Sequence, residues 1–197
     1  QQPGPQKFES HEGFDFISLN IPSTQDLLAP NRRVCIYFTT ALLVIISEQT
    51  EPLLESAQNL STATADVYLG KVLFTFLDDL TRYDATCLES LEQDISQLEE
   101  DLLNDIKQDY TKAIVLLRKK LLVLKRYYEQ LFNIAEAIEE NENGLIHKKS
   151  LRYFRMLTNR IDRLSHTVLN LRDYVTQVRE AYQAQVDISL NNVMKLF

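Results

Sequence analysis

From Leu145 to Phe197 the chain has neither glycine nor proline, and its apolar residues fall in a stripe. Leu157, Ile161, Leu164, Val168, Leu171, Val175, Val178 and Tyr182 are separated by alternating steps of four and three residues. Such a heptad seam predicts one helix packed laterally against other helices, supercoiled to keep the seam inward. At ~1.5 Å per residue the helix would run roughly 80 Å, far longer than a compact domain of this size needs. Beyond Tyr182 the stripe continues through Val186, Leu190, Val193 and Phe197, but Gln183, Gln185, Asp187, Ser189 and Asn191 lie among them and the seam becomes more polar. This abrupt end, with no starting Met and no secretory signal, predicts an excised piece of a larger protein.

The N-terminal third reads differently. Pro3, Gly4, Pro5 and several glutamines predict a tail over the first dozen residues. Phe14 to Ile21 reads as a strand whose change of apolar parity between Phe16 and Leu19 implies either a bulge or burial on both faces. Arg33 to Phe38 and Leu42 to Ser47 are two further strands at hairpin spacing, and the run Val44-Ile45-Ile46 implies burial on both faces. Pro52 suits the first turn of a helix reaching Leu60, with Ser61-Thr62 offering caps for the next.

Past Pro52 there is no proline, and glycine occurs only at Gly70 and Gly144. One helix is expected from about Thr64 to Leu103 and another from about Asp109 to Glu140, with Asn141-Glu142-Asn143-Gly144 supplying a C-cap and turn. The two should pair as an antiparallel hairpin, because Asp84 to Asp109 holds nine acids and one base whereas Tyr110 to Arg126 holds six bases and no acid. The expected fold is α+β and predominantly helical: a partial sheet of about three strands covered by helices (residues 1–62), a helical hairpin (63–144) and a very long C-terminal stalk helix (145–197).

Composition narrows the function. With 45% hydrophobic residues the chain can bury a core, and a net charge of −7 argues against nucleic acid as a partner. No stretch approaches the ~20 apolar residues of a membrane span, so the chain as given is expected to be soluble. Cys35 and Cys87 read as buried thiols, and His11, His147 and His166 show no metal-ligand spacing. No phosphate loop, nucleophile elbow or triad can be singled out, so no enzyme and no required cofactor is expected. Glu99, Glu100 and Asp101 could attract Mg²⁺ or another hard cation, or simply form a solvated helix face. Glu180, Asp187 and Asn191 recur at intervals of seven and four; several copies around an axis would form rings of oxygens able to hold a hydrated cation, although ordinary surface helices share that spacing.

Taken together, Tyr153-Phe154-Arg155, Leu171-Arg172-Asp173 and Asn191-Asn192-Val193-Met194-Lys195 resemble the stalk helix of the CorA family of magnesium transporters. Phe76-Leu77-Asp78-Asp79-Leu80 and Leu91-Glu92-Gln93-Asp94-Ile95 resemble the first of that family's paired outer, or willow, helices. The resemblance implies a homo-oligomer, a pentameric channel in the cell membrane, with this segment on the cytoplasmic side and joined to the membrane through a C-terminal segment beyond Phe197. Mg²⁺ would be the transported ion; zinc, cobalt and nickel remain alternatives. By resemblance Glu180 matches an acidic position near the pore mouth, and Asn191, Met194 and Phe197 match the pore-facing turn. Family members sense magnesium with a carboxylate and a histidine one turn apart on the stalk. Here those positions hold Met156 and Arg160, so the usual regulatory site is expected to be lost. A soluble coiled-coil scaffold with no transport role accounts for the heptads equally well.

Overall fold

Each strand is hydrogen-bonded to the next in chain order, giving an antiparallel sheet β1-β2-β3-β4: β1 (Lys7–His11), β2 (Phe14–Ile21), β3 (Arg32–Phe38) and β4 (Leu43–Ser47). Four helices follow: α1 (Ala65–Leu80), α2 (Asp84–Asn104), α3 (Thr111–Glu140) and α4 (Lys148–Met194). This computed structural model describes residues 7–48, 65–105 and 108–196. The helix expected from Pro52 to Leu60 and the caps at Ser61-Thr62 lie outside the described residues.

The sheet corrects the sequence reading in three ways. There are four strands rather than three, because Lys7–His11, taken for tail, pairs with β2 from Lys7↔Ser18 to His11↔Phe14. Pairing draws a short polar segment into a strand whose own side chains announce little. The register of β2 with β3 runs without a skip from Asp15↔Phe38 to Ile21↔Arg32, so the parity change marks burial on both faces, not a bulge. Lastly, β4 is an edge of the described sheet, and its Ile46 is 56% exposed rather than enclosed.

One sheet face is the core face. Ile17, Leu19 and Ile21 of β2 alternate inward beside Val34, Ile36 and Phe38 of β3, all at 6% exposure or less. The opposite face carries Phe16 against Tyr37, ring centroids 4.8 Å apart, and Cys35. Cys35 is therefore only half-buried, as is Cys87, which corrects the expectation of two enclosed thiols. Leu73, Phe76 and Leu77 of α1 join this core, which continues without interruption into the helices.

The single helix expected from Thr64 to Leu103 is two helices. A turn at Thr81–Tyr83 separates α1 from α2, and the Thr81 hydroxyl folds back to donate to the Asp78 carbonyl at 3.1 Å. Threonine hydroxyls compete in this way for backbone partners, which permits a break with no glycine or proline to announce it. Gly70 allows α1 to come close to α4: a Cβ there would lie 3.3 Å from Ser150 Cβ.

The α4 helix organises the rest. Its seam from Leu157 to Val178 is buried at every predicted position, chiefly against α3, with α2 and α1 along its flanks. The acidic α2 and basic α3 each lean on α4 and touch one another little, so the hairpin read from the charges is held together largely through α4. The turn between α3 and α4 follows the sequence reading. Asn141 caps α3 in the left-handed conformation (φ 51°), its side chain donating to and accepting from the Ile146 backbone at 2.9 Å. Asn143 ties this turn to the sheet by donating to the His11 carbonyl at 2.7 Å and to the Asp15 carboxylate at 2.8 Å.

Candidate functional site

Over its last dozen residues α4 leaves its helical neighbours. Near the start of this departure Tyr182 packs edge-on against Tyr110, with centroids 5.9 Å apart, and its hydroxyl donates to Asp109 at 3.5 Å. Beyond them Ile188, Leu190, Val193 and Met194 are each at least half exposed. Glu180, Asp187 and Asn191 lie exposed on one face of this stretch, with Met194 one turn further on. Asp187 accepts from Gln183 at 3.1 Å. Phe197 lies outside the described residues.

Glu99, Glu100 and Asp101 are brought to the surface of α2 but not to a common point. Glu99 accepts the Tyr174 hydroxyl at 2.7 Å, Asp101 accepts Gln97 at 2.9 Å, and Glu100 faces solvent. Among the described residues no three acid, histidine or cysteine side chains are grouped to hold a metal ion.

The second region of interest surrounds Arg160. Met156 is exposed, but one turn later Arg160 points back into the chain and forms an ion pair with Asp78 of α1. Asp79, whose side chain is 2% exposed, pairs with Arg82. Burial raises the Asp79 carboxyl, and Arg82 opposes the rise. Asp84, the first residue of α2, is buried and accepts the Tyr128 hydroxyl at 2.9 Å. Burial pushes the Asp84 carboxyl up to about 6, against the stabilising hydrogen bond from Tyr128 and the charge of Arg160. Thus three carboxylates and two guanidinium groups meet where α1 turns into α2 beside the stalk.

Neither the Asp78–Arg160 pair nor the Asp84–Tyr128 bond was visible as a motif. One signal does exist: Asp84 stands four residues before Leu88 and seven before Leu91, an acid on the apolar stripe. Because the folded Asp84 is a weaker acid than in the unfolded chain, the native state holds the proton more tightly between pH ~4 and ~6. Stability is lost as pH rises through that window and stays lost above it. Asp84→Asn, which keeps an acceptor for Tyr128, should gain about 1–2 kcal/mol over the wild type at pH 7 and nothing below pH ~4. Urea unfolding of both proteins across pH checks this, and the difference isolates Asp84 from Asp79, which contributes with the same sign.

An antiparallel sheet, a set of packed helices and one helix that outruns them define a domain built on a protruding stalk. The sequence profile of the CorA-like Mg2+ transporter protein family matches residues 4–197, and the chain belongs to that family. The cobalt/magnesium transport protein CorA of Thermotoga maritima is 25% identical over 125 residues, a match taking in 64% of this chain and 36% of that protein. The complete CorA magnesium transporter of Methanocaldococcus jannaschii superimposes with a TM-score of 0.80 at 19% identity, over 97% of this chain and 62% of that one. The ZntB cytoplasmic domain of Vibrio parahaemolyticus gives a TM-score of 0.75 at 15% identity, over 94% of this chain and 75% of that one. The chain therefore spans less than two thirds of the length of these two CorA relatives. No helix among the described residues is long and apolar enough to cross a membrane.

Proposed function

We propose that this chain is the cytoplasmic domain of a homo-oligomeric divalent-cation transporter at the cell membrane, with α4 as the lever that carries domain movement to the pore. The observation behind this reading is the end of α4, where Ile188, Leu190, Val193 and Met194 are exposed, with no neighbouring helix among the described residues to cover them. A helix running free of its own domain needs company, and parallel copies of itself would supply it. Around a shared axis Glu180, Asp187 and Asn191 would present rings of oxygen to a hydrated cation, with Met194 and Phe197 in the narrower turn beyond. A pentamer is the expected state.

Magnesium is the expected cargo, by the family and by the names of its CorA relatives; the likeness to a ZntB domain keeps zinc in view, with cobalt and nickel behind it. Regulation is expected to differ from the family pattern, since Arg160 already neutralises Asp78 at the stalk position where a cation would be sensed. Uptake by cells expressing the full-length gene product tests the function. The expected result is Mg²⁺ entry, competed by other divalent cations, that disappears when the chain is truncated at Phe197. Absence of any divalent-cation uptake would favour a scaffold.

A further inference from the structure

The acidic and basic flanks of this domain lie on opposite sides of it. Along α4, Tyr174 and Val178 face α2, whereas Leu169, Arg172 and Thr176 lie about half a turn away, on the reverse face. With Val115, Arg118, Lys119 and Leu122 of α3 they line an open hollow of about 360 Å³. A second hollow of about 380 Å³ shares Lys119 and Leu122 but lies on the other side of that α3 ridge, between Arg126 and Gln130 of α3 and Asn20, Leu28 and Asn31. The lining is apolar at Val115, Leu122 and Leu169, each more than a third exposed, and basic at Arg118, Lys119, Arg126 and Arg172, against one acid, Asp173.

On the other flank, α2 carries seven acids and no base; Asp84 is buried, and Glu89, Glu92, Asp94, Glu99, Glu100 and Asp101 are exposed. From Glu89 to Asp101 this acidic face is ~18 Å long, and the α3 ridge from Val115 to Arg126 that borders the two hollows is ~17 Å. Within one chain the two surfaces cannot meet, because α4 and the body of α3 stand between them.

We propose that the basic, apolar groove between α3 and α4 receives the acidic face of α2 from a second copy of this chain. Two different patches meeting head to tail generate a ring when the rotation closes, unlike a two-fold contact that buries the same patch twice. The apolar strip supplies area, and the opposed charges set orientation and select against parallel pairing of two basic grooves. The proposal rests on the homo-oligomeric reading above and specifies which surfaces join.

Sedimentation of complementary charge reversals tests it. One variant reverses the groove (Arg118→Glu, Lys119→Glu, Arg172→Glu) and the other reverses α2 (Glu89→Lys, Asp94→Lys, Glu100→Lys). These side chains are outside the core, so circular dichroism and Tm should match the wild type. The wild-type chain should self-associate, roughly tenfold more weakly in high salt than in low. Each variant alone should be monomeric, and an equal mixture should regain association, since the native acidic α2 of the one meets the native basic groove of the other and the new lysines meet the new glutamates. A monomeric wild type, or association indifferent to both reversals, overturns the proposal. Binding to phosphatidylserine vesicles that the groove reversal abolishes, without self-association, overturns it in favour of an anionic surface as the occupant. Full-length protein that transports cations while the mixture fails to pair keeps the transporter reading and removes this interface.

Discussion

Phe154→Ala should lower the unfolding free energy by about 3–5 kcal/mol and the Tm by roughly 10 °C, measured by urea and thermal denaturation. Phe154 is fully buried near the start of α4, edge-on to Phe74 of α1 at 6.0 Å between centroids. It stands where the base of the stalk packs against α1, close to where Gly70 lets α1 approach Ser150. Truncation removes the whole ring from a site walled by two helices, and rigid helices collapse poorly onto the space left. A truncation of equal size at Tyr182, which is only partly buried, should cost well under half as much. The contrast locates the stalk's anchorage at its base and leaves its far end for other partners.

Arg160→Ala should cost about 2–3 kcal/mol. A fully buried pair broken from one side costs ~3–5 kcal/mol, and water reaching about a third of the Arg160 side chain reduces that figure. What remains is repulsion, because Asp78, Asp79 and Asp84 then share the junction with one guanidinium fewer, Arg82 staying on Asp79. The loss should shrink as the pH falls toward 5, since losing Arg160 raises the Asp79 and Asp84 carboxyls further and protonation relieves the site. Denaturation of variant and wild type at pH 5 and pH 7.5 measures it. A loss equal at both pH values would show that Arg160 acts through packing of its stem rather than through its charge.

Much of the fold is legible from periodicity alone. The seam from Leu157 to Val178 can be read because a helix with one buried side repeats its apolar residues every three or four positions, and each of those residues is buried. Asn141 and Gly144 are likewise legible, because few residue types tolerate positive φ at a helix end. The break at Thr81–Tyr83 is hidden, since it is made with a threonine hydroxyl folding back on the Asp78 carbonyl and without glycine or proline. The first strand is hidden because its stability comes from pairing with β2, a partner rather than a composition. Similarly, nine acids followed by six bases suggest two helices attracting each other, yet in the fold each packs chiefly on α4.

The candidate site divides the same way. Helical spacing is enough to place Glu180, Asp187, Asn191 and Met194 on one face. The separation of Glu99, Glu100 and Asp101 depends on which side of α2 meets Tyr174, something a run of acids does not reveal. The partner of Arg160 lies 82 residues earlier in the chain, where no local pattern could point to it.

The most direct test of the account is Mg²⁺ uptake into liposomes holding the full-length protein, followed as magnesium on the side facing this domain is raised from micromolar to millimolar. The expected result is uptake that falls little as that concentration climbs, because Arg160 and not a bound cation holds the stalk to α1. Uptake that shuts off steeply as magnesium rises would contradict that role for Arg160, and no uptake of any divalent cation would contradict the transporter itself.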